Sequence, residues 1–346
     1  MKEERIIMRV MRKTFPLGKL PVEFLGPLLA KAPISDPRVV QGPGTGLDCA
    51  VVDLGDRLMV IKSDPITFAT EEIGWYAVQV NANDIATTGA EPRWLMATLL
   101  LPEHHTTPVL VQEIFDQLSR ACQGLGISLV GGHSEVTSGL DRPILAVTLI
   151  GEVSRENLVS PHGACTGDHI LLTKGVPLEG TALLAREFST WLSEVMTRAE
   201  LEEARAYLTQ PGISVVRDAH IALRSGRVTA MHDPTEGGLL GALWELSDAS
   251  GKRLRFDPQS VPIPPLAGKV CRAFGINPLA TIASGALLLT CPPGDAGPIQ
   301  TAMWKEGISC TTIGGVEEGP AGVFTPEGKP VIRPSRDEIT RVFEGK

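Results

Sequence analysis

Between residues 73 and 88, apolar positions recur at spacings of three and four: Ile73, Ala77 and Val80, with Asp84 and Thr87/Thr88 continuing the same line. That period predicts an amphipathic helix ending near Asp84, its stripe turned to the core. It also puts a carboxylate where burial is expected. Such a group needs a pairing cation, hydrogen bonds or a metal ion to offset its lost hydration. A second helical period, Leu110, Ile114, Leu118 and Cys122, marks residues 110–122. Apolar runs predict strands at 49–54 and 57–62, joined by a turn at Gly55-Asp56, and further strands at 94–101, 127–130 and 144–150. A short helix is expected at 21–31, ahead of the Pro/Gly-rich loop 41–46. The first half therefore reads strand, strand, helix, strand, helix, strand, strand, a mixed α+β pattern rather than a regular alternation.

The polar stretch 152–167, with Pro161, Gly163 and Gly167, is taken as a domain junction. Beyond it the pattern predicts a strand at 168–173 and helices at 181–195 and 198–208. A further helix is opened by His232-Asp233-Pro234-Thr235-Glu236, a Pro-rich loop follows at 261–265, and strands fall at 286–290 and 309–313. Residues 319–346 read as peripheral.

A chain of 346 residues with 43% hydrophobic content can bury a full core and suggests two domains. A net charge of −8 and a pI near 5.5 argue against nucleic-acid or anionic-membrane partners, which need concentrated basic surface. The longest apolar run, 94–101, is too short to span a bilayer, and the N-terminus lacks a signal-peptide pattern. A cytoplasmic protein is expected. The six cysteines form no C-x-x-C pair and read as reduced, mostly buried thiols.

The chemistry-bearing candidates are acids at element ends. Asp48 precedes a strand, Asp64 ends one in Lys62-Ser63-Asp64-Pro65, Asp84 lies on the buried stripe, Asp233 opens a helix, and Glu135 follows Gly131-Gly132-His133. Hard oxygen ligands spread over several element ends suit Mg2+, especially Mg2+ carried by a nucleotide. Each also has an ordinary role. Asp233, Pro234 and Glu236 read as N-cap, N1 and N3 of a capping box, although Gly237-Gly238 in the next turn is poor helix sequence and admits a close backbone or a phosphate. Asp64 suits a turn, Asp48 a loop, and Asp84 a buried pair with an Arg. His133, as a lone histidine, is more often a satisfied structural residue than a functional one, and His104-His105 reads as a solvated loop. Lys62 and Lys174 end strands, where they either reach phosphates or are simply solvated. No P-loop, G-x-G-x-x-G, G-x-S-x-G or H-E-x-x-H motif occurs, so any ATP site is of another type.

Taken in order, Gly46-Leu47-Asp48-Cys49-Ala50, Ser63-Asp64, Asn83-Asp84-Ile85-Ala86 with Gly89-Ala90-Glu91-Pro92, Gly131-Gly132-His133-Ser134, Gly167-Asp168-His169, Asp233-Pro234-Thr235-Glu236-Gly237-Gly238 and Ile313-Gly314-Gly315-Val316 resemble the AIR synthase-like ATP-binding superfamily, and its HypE-like branch most of all. The resemblance spans residues 46–316. It implies a two-domain α+β fold: an N-terminal ATP/Mg-binding domain over 1–155, a C-terminal domain over 165–320, and a tail at 321–346. It further implies a homodimer whose N-terminal mixed sheets close a shared barrel.

The cofactors implied are ATP and Mg2+. Asp48, Asp64, Asp84 and Asp233 match the metal acids, Asp84 and His133 the catalytic positions, and Gly131, Gly132, His133, Asn83, Lys62 and Gly237 the nucleotide side. The implied chemistry is transfer of the ATP γ-phosphoryl group to an oxygen of a small molecule or of a maturation partner protein. The alternatives are a non-catalytic nucleotide-binding assembly protein and a thiamine-monophosphate kinase. The chain departs from HypE in lacking a Pro-Arg-x-Cys end, its last cysteine being Cys310, so the HypE reaction on its own tail is not expected. It has Ala283-Ser284-Gly285-Ala286 where thiamine-monophosphate kinase has Gly-Glu-Asp, its first cysteine is Cys49 where selenophosphate synthetase needs one nearer the N-terminus, and it carries Gly131-Gly132-His133-Ser134 where AIR synthase has Gly-Gly-Glu-Thr.

Overall fold

The computed structural model describes residues 14–15, 17–44 and 46–345. After a short helix, α1 (Val22–Leu29), the first half lays down β1 (Val39–Gln41), β2 (Ala50–Asp53) and β3 (Leu58–Ile66). Helix α2 (Ile73–Thr87), β4 (Glu91–Pro102), α3 (Pro108–Leu125), β5 (Ser128–Thr137) and β6 (Ile144–Val153) follow. The sheet order is β1-β2-β3-β6-β4-β5, antiparallel at every junction except β4–β5. Strand β6 alternates buried and half-buried residues along its whole length, one face turned to the helices. Thr107 caps α3 by accepting from Leu110 N, and Gly126 ends it in the left-handed conformation.

Helix α2 departs from expectation. It is buried all round, Trp75 alone being half-exposed, because the first sheet, α3 and the second half of the chain enclose it. Two further differences bear on the site. Strand β3 runs on through Asp64 to Ile66, so Lys62 and Asp64 lie inside a strand instead of ending one. Gly131, Gly132 and His133 lie within β5, not in a loop, and β5 is the exposed parallel edge of the sheet.

The second half forms another six-stranded sheet. Its elements are β7 (His169–Thr173), α4 (Leu178–Glu187), α5 (Ser189–Leu192), α6 (Arg198–Ala206), α7 (Val216–Ser225), β8 (Ala230–His232), α8 (Gly238–Ser250), β9 (Arg253–Phe256), α9 (Pro265–Phe274), β10 (Leu288–Cys291), α10 (Pro293–Lys305), β11 (Cys310–Glu317), β12 (Gly322–Phe324) and α11 (Ile339–Glu344). The order is β12-β9-β11-β7-β10-β8, with only β12–β9 parallel. Helices α7, α9 and α10 and strand β9 were not expected from the sequence, although Val216, Ala219 and Ala222 in α7 and Leu266 and Val270 in α9 carry a helical period. Residues 321–346 are integrated rather than peripheral: β12 pairs with β9, Val323 and Ile339 are fully buried, and Asp337 Oδ2 accepts from Gly237 N at 2.6 Å.

One apolar cluster crosses the seam, joining Ile85, Leu145 and Leu149 to Leu171, Val215, Met231, Leu289 and Ile299. Among the described residues no helix is long and apolar enough to cross a membrane, and all six cysteines are free.

Glu179, in the first turn of α4, is buried, and its Oε2 has no hydrogen-bond partner. Burial pushes its carboxyl from the ordinary 4.5 up to about 8. Below pH 4.5 folded and unfolded chains both hold this proton; between 4.5 and about 8 only the folded chain does, so rising pH removes stability across that window. Thermal unfolding followed by circular dichroism across this range should show a falling Tm that flattens in Glu179→Gln, with a residual slope from Asp337, whose carboxyl burial lifts to about 7. A Glu179→Gln profile parallel to the wild type would refute the assignment.

Candidate metal and phosphate site at the seam

Four sequence-predicted aspartates meet where the two halves join. Asp48 comes from the segment before β2, Asp64 from β3, Asp84 from the last turn of α2, and Asp233 from the residue after β8. Lys62 stands among three of them: its Nζ lies 2.9 Å from Asp84 Oδ2, 3.0 Å from Asp64 Oδ2 and 3.9 Å from Asp48 Oδ1. Two residues along a strand put Lys62 and Asp64 on the same face, which here looks onto α2. The partner of the buried Asp84 is thus a lysine, not an arginine. Burial opposes the charge on Lys62, yet Asp84, Asp48 and Asp64 carry its pKa well above the ordinary value. Burial raises Asp84 well above the carboxylate range, Lys62 opposing it.

Asp233 is not a helix cap. Helix α8 begins at Gly238 with Gly237 as its N-cap, and Asp233 is fully buried with no hydrogen-bond donor on either oxygen. Burial, together with Asp48, pushes its carboxyl up to about 6. Sequence reasoning missed the neighbouring His232. Its Nδ1 faces Asp48 Oδ2 at 3.7 Å and Asp233 Oδ1 at 4.0 Å, while its Nε2 lies 3.0 Å from Glu245 Oε2 on α8. Burial works against charge on this imidazole, but Asp48, Glu245 and Asp233 outweigh it and push its pKa up to about 9. For Asp48 too, burial is overcome, by His232 and Lys62, and the carboxyl sits below its ordinary value. Lys19, also missed, reaches the rim: its Nζ is 2.9 Å from Glu236 Oε2 and 3.3 Å from Thr235 Oγ1. The only local signal for His232 was its adjacency to Asp233 at the end of a short apolar run.

The orphaned buried oxygens of Asp233 and the unpartnered Nδ1 of His232 fit a divalent cation, since no donor of the chain satisfies them. Asp48, His232 and Asp233 each offer a ligand atom within 4.8 Å of the others.

Other predicted residues fall elsewhere. Asn83 spends its amide on the second half of the chain: Nδ2 donates to Ile213 O at 2.8 Å and Oδ1 accepts from Val215 N at 2.7 Å. It is a tie across the seam and has no free group for a nucleotide. Gly237 gives its N–H to Asp337. The close approach at Gly238 is by backbone, a Cβ there meeting Thr281 O at 2.6 Å, and its φ of +58° suits glycine. Gly132 needs to be glycine because a Cβ would run into Ala97 O on β4. It lies in register with Ala97, Val147 and Asp64 across three strand junctions, about 14 Å from the acids. His133, exposed on that edge, contacts Glu135 Oε2 at 3.1 Å. Within one chain neither Gly131, Gly132 nor His133 joins the cluster. Lys174 is not a phosphate ligand: it is buried on Asp218 (3.2 Å) and Ser214 O (2.5 Å). His104 and His105 lie in an exposed turn, as expected.

Two α+β halves of like size, each with a six-stranded sheet, gather carboxylates from both sides at one seam. The chain belongs to the AIR synthase-related family, matching the model for the N-terminal domain of AIR synthase related protein over residues 46–153 and that for the C-terminal domain over 166–326. Its relatives include the carbamoyl dehydratase HypE of Cupriavidus necator, 29% identical over 256 residues covering 71% of this chain and 68% of that protein. Another is the selenide, water dikinase of Yersinia pestis, 28% identical over 307 residues covering 81% and 84%. Among solved structures, AaThiL complexed with AMPPCP and TMP superposes with a TM-score of 0.71 at 22% identity, covering 92% of this chain and 99% of that one. The hydrogenase maturation protein HypE in complex with ATP superposes with a TM-score of 0.66 at 21% identity, covering 91% and 92%. These superpositions establish the fold.

Lys62→Met strands Asp84 without a cation and should cost about 3–5 kcal/mol in urea unfolding in metal-free buffer. The double variant with Asp84→Asn should recover part of that loss, and strict additivity of the two single variants would show that the pair does not interact. Asn83→Ala leaves a buried carbonyl and a buried N–H unpaired and should cost about 2–4 kcal/mol in the same assay.

Proposed function

We propose that the chain is a Mg2+–ATP-dependent enzyme, HypE-like in type, that transfers the γ-phosphoryl group of ATP to an oxygen of a small molecule or of a maturation partner protein. The observation that carries this reading is the convergence of Asp48, Asp64 and Asp84 on one lysine, next to a buried Asp233 whose oxygens are left without donors. Asp48, Asp64, Asp84 and Asp233 are the residues that hold Mg2+ in this reading. When bound, the ion supplies charge neutralisation at the β- and γ-phosphates, where phosphoryl transfer depends on positioning and electrostatics. Asp84 fixes the ammonium of Lys62, and Lys62 is the cation best placed to turn from carboxylate to phosphate when nucleotide enters. Lys19 lines the same rim.

A homodimer completes the site in this reading. The β5 edge is open and carries exposed Leu129, Val130 and Val136, and β4 beside it exposes Trp94 and Met96. Pairing of two such sheets into a barrel covers that surface and brings the Gly131-Gly132-His133 segment of one copy towards the acids of the other. The domain units are those expected above, 1–155 and 165–320, and a cytoplasmic location accords with this reading.

The test is Mg2+-dependent turnover of ATP over a metabolite panel that includes thiamine monophosphate, scoring ADP against AMP. Asp84→Asn and Asp233→Asn should each lower kcat by about 100-fold or more. Absence of ATP binding by calorimetry at millimolar nucleotide sinks the proposal. Tight ATP binding with no turnover on any acceptor favours the non-catalytic assembly protein instead.

A further inference from the structure

Beyond the four aspartates lies a nitrogen ligand. We propose that His232 Nδ1 is an inner ligand of a divalent metal ion held with Asp48 and Asp233, and that Glu245 orients that imidazole from behind; the inference rests on reading the seam as a metal site.

The distances carry it. His232 is buried, and its Nδ1 has no hydrogen-bond partner. An imidazolium paired with carboxylates would close to about 2.8 Å. Here the two facing oxygens stand at 3.7 and 4.0 Å, too far for a hydrogen bond. Those separations leave room for a metal between them, being under the about 4.2 Å that two ligand atoms on legs of about 2.1 Å can span. The third pair lies within 4.8 Å, so all three ligand atoms draw in together by a few tenths of an ångström around an ion. Asp233 adds support, being fully buried with no N–H or hydroxyl donor on either oxygen and only another acid, Asp84, beside it.

The back of the ring fits the same role. Nε2 lies 3.0 Å from Glu245 Oε2 and donates its N–H to that carboxylate, so Nδ1 is the nitrogen turned to the site, and a metal ion binding there takes the place of the Nδ1 proton. Asp48 divides its two oxygens, Oδ1 towards Lys62 and Oδ2 towards His232. The cluster thus has an ammonium half, with Asp64 and Asp84, and a metal half, with His232 and Asp233. An imidazole nitrogen beside two carboxylates suits borderline ions such as Fe2+ or Zn2+ better than Mg2+, which prefers oxygen alone, and Mn2+, though a hard ion, accepts imidazole more readily than Mg2+ does.

The probe is Mn2+ alone, added to the full-length, untagged protein without nucleotide, with its affinity read by electron paramagnetic resonance and its ligands by electron spin-echo modulation. The wild type should show nitrogen-14 modulation from one imidazole. His232→Gln should lose that modulation and bind Mn2+ on the order of 10–100-fold more weakly, and the preference for Mn2+ over Mg2+ should shrink with it. Glu245→Gln, a milder change that serves if His232→Gln folds poorly, should keep the modulation and lose about tenfold in affinity. Bound Mn2+ without nitrogen modulation, modulation that survives His232→Gln, or no Mn2+ binding at all overturns the proposal. Calorimetry with Mg2+ and ATP separates the two readings: nucleotide binding without nitrogen modulation removes His232 alone, and nitrogen modulation without nucleotide binding removes the ATP enzyme alone.

Discussion

The placement of one ammonium group organises the centre of this molecule. Asp84 is nearly excluded from water, and Asp48 and Asp64 stand close by. Three carboxylates at such separations repel one another by several kcal/mol in a partly desolvated setting unless a cation stands between them. Lys62 fills that position from the middle of β3, which explains why β3 continues as regular strand through Asp64: the ladder to β6 holds the lysine and the aspartate on the face that meets α2.

The surrounding architecture keeps this arrangement in place. Asn83, one residue before Asp84, bonds to backbone on both sides of Ser214, while Lys174 from β7's end takes the carbonyl of Ser214 itself. The short segment 213–215 is held from both halves of the chain, and an apolar cluster continues through the same seam. Helix α2 is buried all round for this reason, and the carboxylate at its end inherits the rigidity of everything packed against it.

Much of this was legible in the sequence, and the failures share a physical cause. The stripe through Ile73, Ala77 and Val80 located Asp84 correctly, because helical period reports burial on at least one side. It did not show that the other sides were also buried, since Tyr76 and Asn83 are polar residues that meet the second half of the chain, and Gln79 is polar and buried too. Asp233 with Pro234 and Glu236 imitates a capping box, a local pattern that long-range burial overrode. Gly131-Gly132 looked like a phosphate loop, whereas Gly132 answers to the carbonyl of Ala97 on the next strand. Motif order identified the family, and local pattern found five of the first sheet's six strands, missing the three-residue β1. The partners of His232 and Lys62 come from residues distant in the chain, which no local spacing encodes.

The tie made by Asn83 has a consequence for motion. Two lobes that share a continuous core, and whose seam is stitched by a side chain bonded on either side of one residue, resist parting as separate rigid bodies. Acids contributed by both lobes therefore meet a ligand as one surface, tied together before it arrives.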